Sequence, residues 1–266
     1  MKQKVVSREY KVMLKKERFI GAQMALLERA GEFWSSFRRE VQDIVYDSDG
    51  SLDRVEKRRA VKFYDGADRP LQEDNYVFRE RVEPGTDKRE VTLKFRHADR
   101  YITQDRDMAA ADFESGRTKF EEDIKLPFMT LYSFSTKQSI PQGRTLDKLA
   151  DLCGLYPGLK KRLKPSQEEV PLEIVRDFTA SEVVIVGADF QIGKSPKVEA
   201  ECGLIVWYDQ AGDPGTPVVA EFSFRYEDER EEYDGEPAKR AYDVFGRLGD
   251  MDWVDAEGPT KTAFVY

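Results

Sequence analysis

Several segments of this chain alternate polar and apolar residues with a period of two, and charged side chains occupy the polar positions. In the segment 75–96, Arg79 and Arg81 share one face of a first strand, and Lys94 and Arg96 share one face of a second. Successive side chains of a strand point to opposite sides of a sheet. Each segment therefore has one charged face and one mostly apolar face, which predicts a sheet with two chemically different sides.

The order of predicted elements favours hairpin-like pairs of strands over an alternation of strands and helices. Helical spacing of apolar residues appears in 17–42, as one long helix or as a helix pair broken at Gly31, and in 145–163 and 238–250, while 46–53 reads as a turn. We therefore predict one α+β domain over 1–266. It should contain a closed or nearly closed antiparallel β-barrel, a tunnel of about eight strands, with helices packed outside. Strands are predicted at 8–14, 58–65, on both arms of 75–96, and at 117–126, 171–178, 181–190, 197–209, 217–226 and 260–266.

The bulk charge of the chain restricts its partners. With 43 Lys and Arg against 51 Asp and Glu, the formal net charge is −8, and general binding to nucleic acid or to an acidic membrane is not expected. The two cysteines have no metal-binding spacing, and no stretch has the apolar length of a signal peptide or membrane span. These features lead us to expect a cytoplasmic protein, in which a local basic pocket is still allowed.

Two arrangements explain the alternating charge. In the first, the polar faces of the sheet lie in water and the apolar faces cover a core. In the second, the polar faces line the lumen of a closed barrel, while the apolar faces pack against outer helices. A lumen with cations on some strands and carboxylates on others would suit polyanions, since Arg and Lys bind phosphate, and Mg²⁺, which prefers carboxylate and phosphate oxygens.

The order of short motifs resembles the CYTH superfamily, the triphosphate tunnel metalloenzymes. The chain has "EYKVM" at 9–13, "VKFYD" at 61–65, "RER" at 79–81, "TLK" at 92–94 and "EFS" at 221–223, in the order of that family's acidic, aromatic-Asp, R-x-R, T-L-K and E-x-E strands. The resemblance implies a charged tunnel that binds a triphosphate or polyphosphate. It assigns substrate binding to Arg79, Arg81 and Lys94, and Arg96, on the same strand face as Lys94, is a further candidate substrate-binding residue.

The chain departs from that family in the acidic half of the motif set. Lys11 stands where the family has a second acid, Met13 where it has a lysine, and Ser223 where the last motif has its second acid. Lys15 lies two residues beyond Met13, on the same predicted face. The candidate metal ligands that remain are Glu9, Glu201 and Glu221, and the candidate catalytic residues are Glu9, Lys11 and Glu221. Glu121 and Asp123 are further acids whose facing the alternation does not decide.

Three functional hypotheses follow. The first is a phosphohydrolase acting on a nucleoside triphosphate, thiamine triphosphate or polyphosphate, with a weak Mg²⁺ or Mn²⁺ site that orients water; the resemblance also allows an adenylate cyclase-like activity. The second is a non-catalytic module that binds phosphorylated ligands and has lost metal affinity. The third is a barrel with no ligand and solvated polar faces.

Overall fold

The computed structural model describes residues 2–266, in which nine strands close into a ring. Around the ring the strands follow the order β1-β5-β6-β4-β3-β2-β7-β8-β9, and β9 returns to β1. Every neighbouring pair is antiparallel except β1 and β5, which are parallel. The predicted closed barrel is thus confirmed, with nine strands where about eight were expected. The strands are β1 Ser7–Met13, β2 Asp47–Asp65, β3 Tyr76–Val82, β4 Lys88–His97, β5 Arg117–Lys125, β6 Met129–Pro141, β7 Glu173–Lys194, β8 Lys197–Asp209 and β9 Pro217–Glu227.

The outer face of the ring is the apolar face of the alternating strands. Phe222 and Phe224 of β9 are fully buried there, and the Phe222 ring lies edge-on to Phe33, with 4.8 Å between the ring centroids. Helices cover this face, as predicted, because an apolar strand face must be removed from water. The charged face of the same strands is therefore left to the lumen. The helices are α1 Gln23–Val41, α2 Pro70–Glu73, α3 Arg100–Gln104, α4 Leu149–Leu155, α5 Gly235–Gly249 and α6 Lys261–Val265.

Both early helical predictions are correct in position. A 3₁₀ turn at Lys16–Phe19 precedes α1, which runs through Gly31, so the first of the two alternatives for this segment, one long helix, is confirmed. A single glycine destabilises a helix by only about 1 kcal/mol. The burial of Phe33 and Phe37, which follow Gly31 in α1, outweighs this cost. The later segment contains α4 and then a 3₁₀ turn at Pro157–Lys161.

Two loop predictions in the first half of the chain are corrected. The segment 46–53 is not a turn, since β2 starts at Asp47 and pairs with β7 through it. Gly50 has a φ of +66°, and the register of the β2–β7 pairing shifts between Gly50 and Arg54. The turn-forming residues therefore form a β-bulge within the strand instead of ending it. The strand β6 was not predicted, because its alternating positions hold Ser and Thr rather than charged residues.

The third quarter of the chain and its end differ from the prediction as well. The two strands expected at 171–178 and 181–190 form the single strand β7, with Arg176 and Asp177 at positive φ near its start. The segment 260–266 is not a strand but contains α6, whose first turn is capped by the side chain of Thr260.

The helix α6 packs into the ring rather than onto its outside. Val265 is 1% exposed, and Phe264 and Tyr266 join it in a cluster with Phe63 and Trp207. Phe63 pairs directly with Arg79 of β3, so this cluster belongs to the lumen side of the sheet. The last turn of the chain thereby closes part of the lumen with apolar side chains.

No helix among residues 2–266 is long and apolar enough to cross a membrane. The two cysteines, Cys153 and Cys202, are buried free thiols.

Candidate functional site

The lumen contains a cavity of about 450 Å³ in which nearly all of the sequence-predicted site residues meet. Its lining has eight cationic and four acidic side chains, an excess of positive charge in a chain whose net charge is −8. The polar strand faces therefore line a tunnel, which decides between the two arrangements that the sequence left open. The cationic residues are Lys11, Arg79, Arg81, Lys94, Arg96, Lys125, Arg225 and Lys261, and the acidic ones are Glu9, Asp123, Glu221 and Asp255.

The hairpin of β3 and β4 positions one side of the cavity, which we call the cationic wall and define as Arg79, Arg81, Lys94 and Arg96. The register pairs Arg79 with Thr92 and Val77 with Lys94. Because directly paired residues of antiparallel strands share a face, the alternation seen in the sequence brings all four cations to the lumen. The predicted hairpin and the facing of its charges are both correct.

Arg79 is the least compensated charge of the cationic wall. Within residues 2–266 its guanidinium has no ion pair within 4 Å and no hydrogen-bond acceptor, and its Nε is fully buried. Burial lowers the pKa of Arg79 well below its usual value, and the neighbouring charge of Arg81 lowers it further. A partly buried guanidinium whose Nε has no acceptor is unfavourable, and an anion in the cavity would supply the missing partner.

The other three cations have partial partners. Arg81 lies 3.5 Å from Glu182 and 3.7 Å from Glu90, and Lys94 lies 3.6 Å from Glu121. These distances exceed those of charge-assisted hydrogen bonds, which are about 2.7–2.9 Å. Burial lowers the pKa of Lys94 to about 8, although Asp123 opposes the shift.

Arg96 is held by three groups around the end of β4. Its Nε lies 3.2 Å from the Ser133 hydroxyl and 3.5 Å from Asp123, and its Nη1 donates to the Thr262 hydroxyl at 3.2 Å. The last contact links the cationic wall to α6. Arg96 is thus oriented toward the cavity by groups from β5, β6 and the end of the chain.

The opposite side of the cavity, which we call the acidic wall, consists of Glu9, Lys11, Asp123 and Glu221 from β1, β5 and β9. The Lys11 ammonium lies between two carboxylates, 2.8 Å from Glu9 and 2.8 Å from Asp123. Burial alone would raise the pKa of Glu9. The positive charge of Lys11 and its hydrogen bond to Glu9 oppose burial, and that pKa stays below its usual value. The same balance lowers the pKa of Asp123, and the two acids raise that of Lys11.

Glu221 completes the acidic wall and is also paired. Its Oε1 lies 2.7 Å from the Nζ of Lys261, the first residue of α6, and its side chain is 5% exposed. The carboxylate that the sequence offered as catalytic or metal-binding therefore accepts a lysine from the end of the chain. In this wall each of the three carboxylates has an ammonium partner.

Glu201 does not join the other candidate metal ligands. It lies on the same strand side, opposite Arg225, but its side chain is 71% exposed and contacts Arg225 at 2.8 Å. It lines a second, more open cavity, which it shares with Glu9 and Asp189, and not the main one. It lies four positions before Ile205 on β8, which does line the main cavity.

The position of Lys15 also differs from the expectation. The strand β1 ends at Met13, and Lys15 lies beyond it, where its ammonium contacts Asp252 at 2.7 Å on the outside. Lys15 therefore cannot substitute for the family lysine that Met13 replaces. Met13 itself lines the cavity and contributes no charge.

Several residues of the site were missed or left undecided by the sequence. Glu182 is 1% exposed and accepts a hydrogen bond from the Trp207 indole at 2.8 Å. Burial would raise its pKa, but Arg81 and Arg59 outweigh burial and lower it. Its position in the apolar run 181–190 hid it, and Lys261 was hidden by the incorrect strand prediction at 260–266. Asp123 faces the main cavity.

The carboxylates of the acidic wall do not form an open ligand set for a divalent ion. Mg²⁺ requires octahedral oxygen ligands at about 2.0–2.1 Å, whereas Glu9, Asp123 and Glu221 already contact Lys11 or Lys261. Among residues 2–266 no group of three or more His, Cys, Asp or Glu side chains is arranged to hold a metal. In this arrangement the residues do not fit the weak Mg²⁺ or Mn²⁺ site, which stays a prediction.

Comparisons with known proteins give only distant structural likenesses. No protein-family model matches the chain, and no curated protein matches it. A Hippeastrum protein described as a candidate adenylyl cyclase with a dominant triphosphatase activity is 12% identical, with a TM-score of 0.46, covering 97% of this chain and 94% of its own.

Two bacterial structures are also similar. A candidate adenylate cyclase from Bacillus halodurans is 13% identical, with a TM-score of 0.37 and coverage of 92% and 91% of the two chains. One from Vibrio parahaemolyticus is 10% identical, with a TM-score of 0.36 and coverage of 98% of each. These descriptions are of the kind that the motif resemblance indicated. At such TM-scores they carry no argument about this chain, whose closed ring is established by its own strand pairing.

Proposed function

We propose that this protein binds a small molecule bearing a triphosphate, or inorganic polyphosphate, in the lumen of its barrel. The observation that carries the proposal is the unpaired guanidinium of Arg79, whose Nε is buried and which lines a cavity with three further cations of the cationic wall. Arg presents a planar fork of donors to phosphate oxygens, and Lys adds a point charge. A chain of phosphates is a ligand with enough separate anionic groups to engage several of these cations.

The size and charge of the cavity support this ligand class. A cavity of about 450 Å³ lies within the range of small-molecule sites, about 300–1,000 Å³. The excess of cations over acids in its lining would repel a cationic ligand. An uncharged ligand would leave Arg79 without a counter-ion. A solvated barrel without ligand would leave the cost of burying Arg79 unexplained.

Binding without rapid turnover is the better-supported form of the proposal. Hydrolysis of a phosphoanhydride would require a group that orients or deprotonates water, and the candidate catalytic carboxylates Glu9 and Glu221 each accept an ammonium ion instead. The lowered pKa of Glu9 also makes it a weaker base. Metal-dependent hydrolysis and an adenylate cyclase-like reaction are therefore the second candidates.

A thermal-shift panel tests the proposal. Inorganic tripolyphosphate, ATP and thiamine triphosphate are compared with orthophosphate, each with and without Mg²⁺ or Mn²⁺, for wild type and Arg79→Ala. We expect the triphosphates to raise the unfolding midpoint of the wild type in proportion to RT ln(1 + [L]/Kd), and orthophosphate to do so much less.

The controls separate binding from turnover. Arg39→Ala, on the exposed face of α1, should leave the shifts unchanged, and release of phosphate from the same ligands measures hydrolysis. Equal shifts in wild type and Arg79→Ala would contradict the assignment of the ligand to the cationic wall.

A further inference from the structure

The acidic wall differs from an ordinary divalent-metal site in one respect: its cations are covalently part of the chain. Lys11 bridges Glu9 and Asp123 at 2.8 Å each, and Lys261 contacts Glu221 at 2.7 Å. All three carboxylates lie in the main cavity together with both lysines. Two ammonium ions thus contact the carboxylates that a divalent ion would need as ligands.

These lysines still have donors for a ligand. Each ammonium has three N–H groups, of which Lys11 uses two and Lys261 uses one in the contacts given above. Phosphate oxygens in the cavity would therefore meet ammonium groups on the acidic wall and guanidinium groups on the cationic wall. In such a site the ammonium groups would connect phosphate to carboxylate, which is the bridging role that a metal ion would otherwise have.

The two carboxylates that contact Lys11, and not its direct cross-strand partners, explain why Lys11 cannot easily be displaced. Lys11 pairs directly with Ser223 of β9 and Lys125 of β5, so no acid stands opposite it on either neighbouring strand. Moving the ammonium out of the wall would leave the partly buried Glu9 and the buried Asp123 without their partner, and an unpaired buried charge is strongly unfavourable. A divalent ion would have to overcome that cost and the repulsion of Lys11 and Lys261.

We propose that the tunnel binds its polyphosphate ligand without a divalent metal, with Lys11 and Lys261 serving as fixed counter-ions in the acidic wall. This inference rests on the proposed function. It specifies the ligand as the metal-free polyanion, so Mg²⁺ added in solution competes with the protein for ligand rather than assisting binding.

The experiment is calorimetric titration of inorganic tripolyphosphate into the wild type, in EDTA and in excess Mg²⁺. We expect binding in EDTA, and weaker apparent affinity in Mg²⁺ in proportion to the ligand that the ion chelates. Binding that requires Mg²⁺ would overturn the inference and leave the proposed function intact, whereas absence of binding under both conditions would overturn the proposed function as well.

Variants of Lys11 test the counter-ion role directly. Lys11→Met should weaken binding in EDTA by about ten-fold or more, the scale of one lost charge-assisted contact, and added Mn²⁺ should recover part of the loss. Titration of Mn²⁺ alone should show no binding to the wild type and measurable binding to Lys11→Met. Tight binding of Mn²⁺ by the wild type would contradict the inference.

Two controls separate this role from folding. Lys15→Met removes a lysine just beyond β1 whose partner, Asp252, lies outside the cavity, and it should leave both titrations unchanged. Lys11→Arg retains the charge and should bind tripolyphosphate in EDTA more tightly than Lys11→Met. If Lys11→Met does not fold, the Mn²⁺ and EDTA titrations of the wild type still decide the question.

Discussion

The two walls of the lumen contain similar numbers of charged side chains but differ in how closely those charges are paired. In the cationic wall Arg79 has no ionic partner and Lys94 has one only at 3.6 Å, whereas in the acidic wall each carboxylate contacts an ammonium at 2.7–2.8 Å. A charge that is already paired has its counter-ion inside the protein, whereas a charge left unpaired in a cavity is available for a ligand. From this comparison we expect the cationic wall to supply most of the affinity for the proposed ligand.

The buried acid beneath the cationic wall gives the largest expected effect. Glu182 contacts Arg59 and Arg81. Removing its charge leaves these two largely buried guanidinium groups without their shared carboxylate. We expect Glu182→Gln to lower the free energy of unfolding by about 3–5 kcal/mol, measured by urea denaturation. Glu173→Gln, at a half-exposed pair with Arg69, should change it by less than about 1 kcal/mol.

Arg79→Ala should cause the largest loss of affinity. Its guanidinium has no internal partner to leave unpaired, so the loss of ligand contacts is the main consequence. We expect tripolyphosphate binding to weaken by about 3 kcal/mol, the upper end for charge-assisted hydrogen bonds, with no loss of stability. Calorimetric titration checks the first value, and unchanged affinity would show that the two walls do not differ as described.

Arg81 lies between the two kinds of charge, because it has acidic neighbours at 3.5 and 3.7 Å. Arg81→Ala should weaken binding by about 1.5–2 kcal/mol, and Arg81→Lys should recover only part, since a lysine lacks the bidentate fork. The same titration applies. Full recovery by lysine would mean that charge alone, and not the planar donor geometry, determines binding here.

Restoring the acids that the chain lacks should make the acidic wall a metal site. Lys11 and Ser223 are direct cross-strand partners, so Lys11→Glu with Ser223→Glu places two carboxylates opposite each other beside Glu9. We expect Mn²⁺ affinity to rise at least about ten-fold, because ligand charge tunes hard-cation sites. Metal titration measures this change, and phosphate release at saturating Mg²⁺ and Mn²⁺ shows whether turnover follows. Brisk turnover by the wild type would contradict the description of the acidic wall.

The smallest expected effect is the pH dependence of binding through Lys94. Burial lowers its pKa to about 8, so the free protein loses this charge as the pH rises above that value. Phosphate oxygens favour the protonated form, and binding should therefore take up a proton. Affinity should fall by up to about ten-fold per pH unit above 8. Lys94→Arg stays protonated throughout and should remove this dependence in titrations between pH 7 and 9.

The sequence predicted the tunnel and the cationic wall for a local reason. Alternation along β3 and β4 follows from the geometry of a single strand, and hairpin pairing is set by neighbours in the chain, so Arg79 and Lys94 could be placed without long-range information. The outer helices were likewise visible from their apolar spacing, although that spacing did not decide between one helix through Gly31 and a broken pair.

The pairing of the acidic wall was decided only by the tertiary structure. Glu9 and Asp123 meet because β1 lies parallel to β5, a register between strands more than 100 residues apart that no local pattern encodes. Lys261 reaches Glu221 because the end of the chain forms a helix inside the ring, where burial of Val265 overrides the strand-like pattern of its sequence. Residue types and alternation determined which charges enter the lumen, and long-range packing decided which of them neutralise each other and which remain free for a ligand.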